Sequence, residues 1–337
     1  MVVSARTASS EASRDQRSLD VSWALRAAAL CAVGLALTWV VAALVPGARA
    51  HDAAALLGFT DLWRPRIDAV ANAVARSVSA RPYALIALVL LAVAIARRRP
   101  RTALAVAAVL LGAGLSAEAM KPLLAHAHDY AGHKLVEAGS WPSGHSTAAM
   151  AIALCAVMVA PARMRVVVAV VGSSLAVAVS FSLLVLAWHL PSDVVGGYLL
   201  AGLWASLAVA GLQSAQARWP SPVPRPAGPR DAQGARAPRP PSAASPARRG
   251  LRAGWTERPV RRANGLGPSL VGALGREAVV PAVLLCAMAA VLAVAVILRP
   301  QQVTTYAADH RSLMAAGAVI VVLAGSLASG LTAVMRR

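Results

Sequence analysis

Apolar residues in this chain gather into long runs set apart by short polar stretches, and the lengths of the runs decide the architecture. Runs extend from about Trp23 to Leu44, from about Ser77 to Ala96 and from about Thr102 to Met120. Three more cover about Gly144 to Ala160, Val166 to Trp188 and Asp193 to Leu212, and a last pair covers about Ala278 to Leu298 and Leu313 to Val334. Each comes close to the roughly 20 residues that an α-helix needs to cross a bilayer, whereas a spanning β-strand needs about 10 and alternates in polarity. The pattern predicts an all-α, polytopic helical membrane protein with a six-span core and two additional C-terminal spans.

The polar stretches are of two kinds. Arg97-Arg98-Arg99-Pro100-Arg101, Arg163 with Arg165, and Arg336-Arg337 are basic, and they alternate with stretches that carry the seven histidines. Basic loops are retained on the cytoplasmic side. The alternation therefore predicts an integral protein of the plasma (cytoplasmic) membrane, with cytoplasmic N- and C-termini and outward-facing histidine segments. Between Pro46 and Ile67 the expected element is a polar outer loop.

Four segments follow from the same reading. Residues 1–20 mix Ser, Arg, Asp and Glu without apolar periodicity, which predicts a disordered cytoplasmic tail. Residues 21–212 hold the six-span core. Residues 213–276 turn to Pro, Ala, Gly, Ser and Arg, which predicts a disordered cytoplasmic linker. Residues 277–337 form a two-span membrane module, expected to be accessory because such a linker can vary in length at little cost.

Composition narrows the function classes. A hydrophobic content of 58% with mean hydropathy +0.62 excludes an ordinary soluble domain. The formal charge of +19 comes largely from arginines between spans, and no folded recognition motif accompanies it, so the bilayer and not nucleic acid is the expected partner. Cys31, Cys155 and Cys286 all fall inside apolar runs, so no disulfide framework is implied.

The chemistry lies between Lys121 and Asp193. Pro142-Ser143 immediately precedes the run that begins at Gly144, which places Pro-Ser-Gly at a helix N-terminus, where unpaired N–H groups and the helix dipole favour an anion. Gly144 lets a phosphate approach the backbone, and His145 follows as a proton donor. His189 and Asp193 are four apart, so one helical turn puts imidazole and carboxylate on one face. Glu118 and Lys121, three apart, can pair at the same end of their span. The loop after Lys121 holds His126, His128, Asp129 and His133. These are ordinary types of metal ligand, but their spacing is not diagnostic, and neither a metal nor another cofactor is expected.

At these residues the sequence resembles the type-2 phosphatidic acid phosphatases, relatives of the vanadium haloperoxidases, whose motifs run Lys-x6-Arg-Pro, Pro-Ser-Gly-His and Ser-Arg-x5-His-x3-Asp. Pro142-Ser143-Gly144-His145 matches the second, and Ser182, His189 and Asp193 keep the spacing of the third. The resemblance covers about Trp23 to Leu212. It implies a lipid phosphate or pyrophosphate phosphatase, acting on a membrane lipid phosphate substrate such as phosphatidic acid or a prenyl carrier. By the same resemblance His189 is the nucleophile, Asp193 its orienting partner and His145 the general acid, with Lys121, Ser143 and Gly144 as phosphate ligands. Two departures stand out: Leu183 occupies the arginine position of the third motif, and His128-Asp129 replaces Arg-Pro in the first. A protonated His128 would be a partial substitute. Arg76 and Arg81 are either substitute guanidinium donors or residues that snorkel to headgroups. The missing arginines keep open a second class, a non-catalytic or weakly active anionic-lipid binding or transport protein that retains the phosphate cradle. The joint presence of His145, His189 and Asp193 favours the enzyme.

Overall fold

A computed structural model describes residues 2–125, 136–218 and 300–335, with the side chains of 2–20 and 300–304 outside the description. Ten α-helices are described: α1 (Val2–Leu44), α2 (Pro46–Thr60), α3 (Pro65–Arg76), α4 (Ala80–Ala96), α5 (Pro100–Leu123), α6 (Gly144–Val159), α7 (Arg165–Val185), α8 (Pro191–Arg218), α9 (Pro300–Asp309) and α10 (Arg311–Val334). The protein is an all-α membrane protein.

Among the described residues, five helical stretches are long and apolar enough to cross a membrane: Val21–Leu44, Pro100–Leu123, Ala162–Val185, Pro191–Arg218 and Arg311–Val334. A sixth crossing is available if α3 and α4, bent by 47° at their junction, act as one broken span. Helix α6 has 16 residues and so is about 24 Å long, short of the roughly 30 Å hydrocarbon core. Its start is fixed by Ser143 and its end by Ala160 and Pro161, where the backbone turns extended. The run from Ala278 to Leu298 and the linker lie outside the described residues.

Two elements differ from the sequence expectation. Helix α1 is described from Val2, so residues 2–20 continue the helix instead of forming a separate tail. No proline or glycine precedes Gly34 to interrupt it. The stretch from Pro46, read as a polar loop, folds as α2, with Ala55, Leu56 and Phe59 buried at helical spacing. The Phe59 ring tilts against Phe181 of α7 at a centroid distance of 5.4 Å.

Helix α8 is the central post of the bundle. Its small residues admit neighbouring helices: a Cβ on Gly197 would lie 2.8 Å from the Ser143 carbonyl oxygen of α6's cap, and one on Gly202 would lie 3.1 Å from Cys31 Sγ of α1. Helix α10 belongs to the same core, into which it buries Ile320, Val321, Ala324 and Ala328. The C-terminal helices are also tied to α2, where His310 Nε2 approaches Asp61 Oδ2 at 3.2 Å and the Tyr306 hydroxyl donates to the Gly58 carbonyl.

Hydrogen bonds mark the two ends of the bundle. At one end Trp39 Nε1 donates to the Leu124 carbonyl at 3.1 Å, and the Ser143 N–H donates to the Asp193 carbonyl at 3.0 Å. At the other, Arg97 donates to the Val159 carbonyl at 2.9 Å and Arg165 to the Met335 carbonyl. The first end gathers the motif residues, and the second carries the arginine clusters.

Candidate functional site

The N-terminus of α6 is one wall of the site. Ser143 is the N-cap: its Oγ accepts the Ser146 N–H at 3.3 Å and the Ser146 hydroxyl at 3.1 Å, and its carbonyl accepts the Thr147 hydroxyl at 2.8 Å. The Thr147 N–H bonds the same carbonyl, which leaves the N–H groups of Gly144 and His145, among the described residues, without an acceptor. Ser143 is fully buried, whereas Gly144 and His145 are half-buried and reachable.

Lys121 in the last turn of α5 faces this terminus. Its Nζ lies 2.6 Å from Glu118 Oε1, so the pair anticipated from their spacing is formed. A Cβ built on Gly144 would stand 3.6 Å from that Nζ and 3.3 Å from Glu118 Oε1. The ammonium and the free N–H groups therefore border one small space, and a side chain at position 144 would intrude on it.

The turn between α7 and α8 adjoins this terminus through the bond from the Ser143 N–H to the Asp193 carbonyl. Helix α7 ends in a Schellman motif: the Ala187 N–H donates to the Leu184 carbonyl at 3.1 Å and the Trp188 N–H to the Leu183 carbonyl at 2.9 Å. Ala187 takes the left-handed conformation at φ 55°. This sharp stop brings His189 to the head of α8, where its Nδ1 lies 3.2 Å from Asp193 Oδ2. The same oxygen accepts the Leu190 N–H at 3.0 Å. His189 keeps 12% of its side chain exposed while Asp193 has none, so the imidazole is the accessible side of the pair. Among the described residues, Asp193 Oδ1 is buried without a hydrogen-bond partner. His145 completes the group: its ring lies 5.9 Å from that of Trp188, within electrostatic reach of both His189 and Lys121.

The remaining sequence candidates fall elsewhere. Leu183 is fully buried in the core of the bundle. The Ser182 hydroxyl turns back to the Ala178 carbonyl at 2.8 Å. Arg76 and Arg81 are exposed, on the last turn of α3 and the first of α4, and among the described residues neither side chain bonds a residue of the site. His126, His128, Asp129 and His133 lie outside the described residues, and among the described residues no three His, Cys, Asp or Glu side chains gather as a metal site would require. Trp141 is buried beneath the site against Gly196, whose missing Cβ makes room for the indole.

One residue was missed altogether. Asp52 of α2 receives the Ser192 N–H on Oδ1 at 3.1 Å and the Ser192 hydroxyl on Oδ2 at 2.6 Å, which caps the first turn of α8 beside Asp193. Burial pushes its carboxyl up to about 7; the Ser192 bonds oppose the shift and the charge of Asp193 adds to it. The contact spans 140 positions of sequence, and nothing in the local pattern announces it.

Fold and site together define a helical membrane protein that gathers two histidines, a buried carboxylate and a lysine at one end of its bundle. Residues 82–216, from α4 through α8, match the model of the PAP2 superfamily. Comparison with curated proteins and with solved structures finds no match. Helices α1 to α3 and α9 to α10 lie outside the matched residues.

Proposed function

We propose that this membrane phosphatase of the PAP2 superfamily hydrolyses a lipid phosphate or pyrophosphate through a phosphohistidine on His189. The observation that carries the reading is the contact of His189 Nδ1 with the buried Asp193 carboxylate, on the residue whose carbonyl accepts the Ser143 N–H at the head of α6. With Nδ1–H donating to Asp193, the lone pair of Nε2 is free to attack.

In the first step Nε2 forms a bond to phosphorus as the bond to the leaving oxygen breaks. Lys121 and the N–H groups of Gly144 and His145 hold the equatorial oxygens, with Ser143 fixing the terminus that presents them. His145 gives its proton to the departing alkoxide or phosphate. In the second step water attacks the phosphohistidine, His145 takes the water proton, and inorganic phosphate leaves as His189 is restored. His128 would add a phosphate contact when protonated.

The lipid character of the substrate rests on the setting, because the polar groups stand at the ends of apolar spans. The arginine clusters at the far end support an outward-facing site in the plasma membrane with cytoplasmic termini. The test is release of inorganic phosphate by the purified full chain from phosphatidic acid and a prenyl pyrophosphate, with rapid acid-free quenching to trap the intermediate. A phosphoenzyme present in the native protein and absent from His189→Ala is the expected result. Lipid phosphate binding without any hydrolysis would establish the binding-protein alternative instead.

A further inference from the structure

A groove of about 490 Å³ opens between α1, α2 and α10 beside the head of α8. Its volume falls within the roughly 300–1,000 Å³ of sites that hold small molecules. Its walls are apolar: Val41 of α1, Ala55 of α2, and Ala316 and Val319 of α10 line it. Its polar lining includes Asp52 and Ser192, which are hydrogen-bonded to each other, together with His51 and Ser312.

Three relationships identify the occupant. The walls belong to α1 and α10, both long and apolar enough to cross the membrane, so the groove lies against hydrocarbon and a hydrocarbon chain fills it without exposing polar surface. Along α10 it runs from Ser312 to Val319, seven residues or about 10 Å, down from the end of the bundle where His189 sits. Ser192 lines the groove and its neighbour Asp193 holds His189, so the groove adjoins the turn that carries the histidine. We infer that this groove binds the hydrocarbon chain of the phosphatase's own lipid substrate, and that α1, α2 and α10, all outside the PAP2 region, thereby select for chain-bearing substrates. The inference rests on the catalytic reading above for the position of the phosphate.

The role assigned to α10 is specific. Ala315 and Ala316 keep the groove open because they project little side chain into it, and a larger residue there would occupy the space of several methylene groups. Binding energy collected along the chain, remote from phosphorus, would help hold the phosphate against His189.

Two measurements on the full-length protein decide it. In the first, kcat/KM is compared for phosphatidic acid with long acyl chains and for p-nitrophenyl phosphate, which has no chain. Ala316→Phe should lower the ratio of the two by about tenfold or more, in line with the discrimination an apolar pocket supplies. An unchanged ratio, with both substrates slowed alike, would overturn the groove. In the second, a phosphatidic acid analogue with a photoreactive group in its acyl chain is crosslinked to the protein in phosphatidylcholine vesicles. Labelling should map to α1, α2 and α10, persist in His189→Ala, and be suppressed by excess unlabelled phosphatidic acid. Labelling that ignores the competitor would show ordinary boundary lipid and sink the proposal. If the native protein hydrolyses neither substrate, the catalytic reading fails while competed labelling still establishes the groove.

Discussion

Oδ2 of Asp193 is shared: it lies 3.2 Å from His189 Nδ1 and accepts the Leu190 N–H at 3.0 Å. The second bond locks the carboxylate to the backbone of the turn that carries the histidine, so ring and carboxylate move as one unit. Asp193→Asn keeps the volume and loses the charge that fixes the tautomer, and turnover should fall by about 10²- to 10⁴-fold. Its phosphoenzyme should still form, slowly, on His189. His145→Ala should cost little with p-nitrophenyl phosphate, whose leaving oxygen needs no proton, and much more with an alkyl phosphate. Equal losses on both substrates would remove His145 from the role of acid.

Lys121 is engaged by Glu118 at 2.6 Å, yet Glu118 is largely exposed, and an exposed pair of this kind is worth about 0–1 kcal/mol. A phosphate bound beside Gly144 would draw the ammonium away from it at little cost. Lys121→Ala should raise KM for a lipid phosphate and lower kcat/KM. Glu118→Gln should lower KM modestly with kcat unchanged, since it frees the ammonium and removes a repulsive charge. Steady-state kinetics on both variants at fixed ionic strength checks this, and a rise in KM for Glu118→Gln would mean that the carboxylate positions Lys121.

Much of this architecture is written in local pattern. The spanning helices are visible as runs of the right length, and the pairs His189 with Asp193 and Glu118 with Lys121 are visible because helical spacing brings residues three and four apart together. What escaped is non-local. Helix α2 was hidden because His51, Asp52 and Asp61 mask the apolar face of Ala55, Leu56 and Phe59, and its bond to Ser192 depends on how α2 lies across α8. That helix α10 buries Ile320 and Ala324 in the shared core is likewise a matter of packing, which no local pattern displays. The burial of Trp141 is non-local in the same way, since nothing nearby in sequence shows that Gly196 leaves it a place inside.

Ala187 tests the turn itself. It sits at the C′ position of the Schellman motif with φ 55°, where a Cβ is disfavoured by roughly 1 kcal/mol. Ala187→Gly should therefore raise thermal stability by a few tenths to about 1 kcal/mol, the gain being reduced by glycine's greater freedom in the unfolded chain. Ala187→Val should destabilise the protein and weaken the His189 contact. Melting of the purified variants in detergent measures both, and a loss of stability with glycine would refute the strain.

Asp52 gives the protein a pH signature. Its carboxyl is pushed up to about 7 by burial, reinforced by Asp193 and opposed by the two Ser192 bonds, whereas in the unfolded chain it titrates near about 4. Between those values the folded state holds a proton that the unfolded state has lost. The contribution of this group to stability is therefore complete below pH about 4, declines as pH rises through about 7, and is constant above it. Asp52→Asn abolishes the titration while retaining an acceptor for the Ser192 N–H. Relative to that variant, the native protein should lose thermal stability steadily from pH 4 to 7 and then run parallel to it. Melting temperatures of both proteins in one detergent across that range decide the matter. Parallel curves throughout would mean that Asp52 is ionised in the folded state well below neutrality, and that its bonds with Ser192 outweigh its burial.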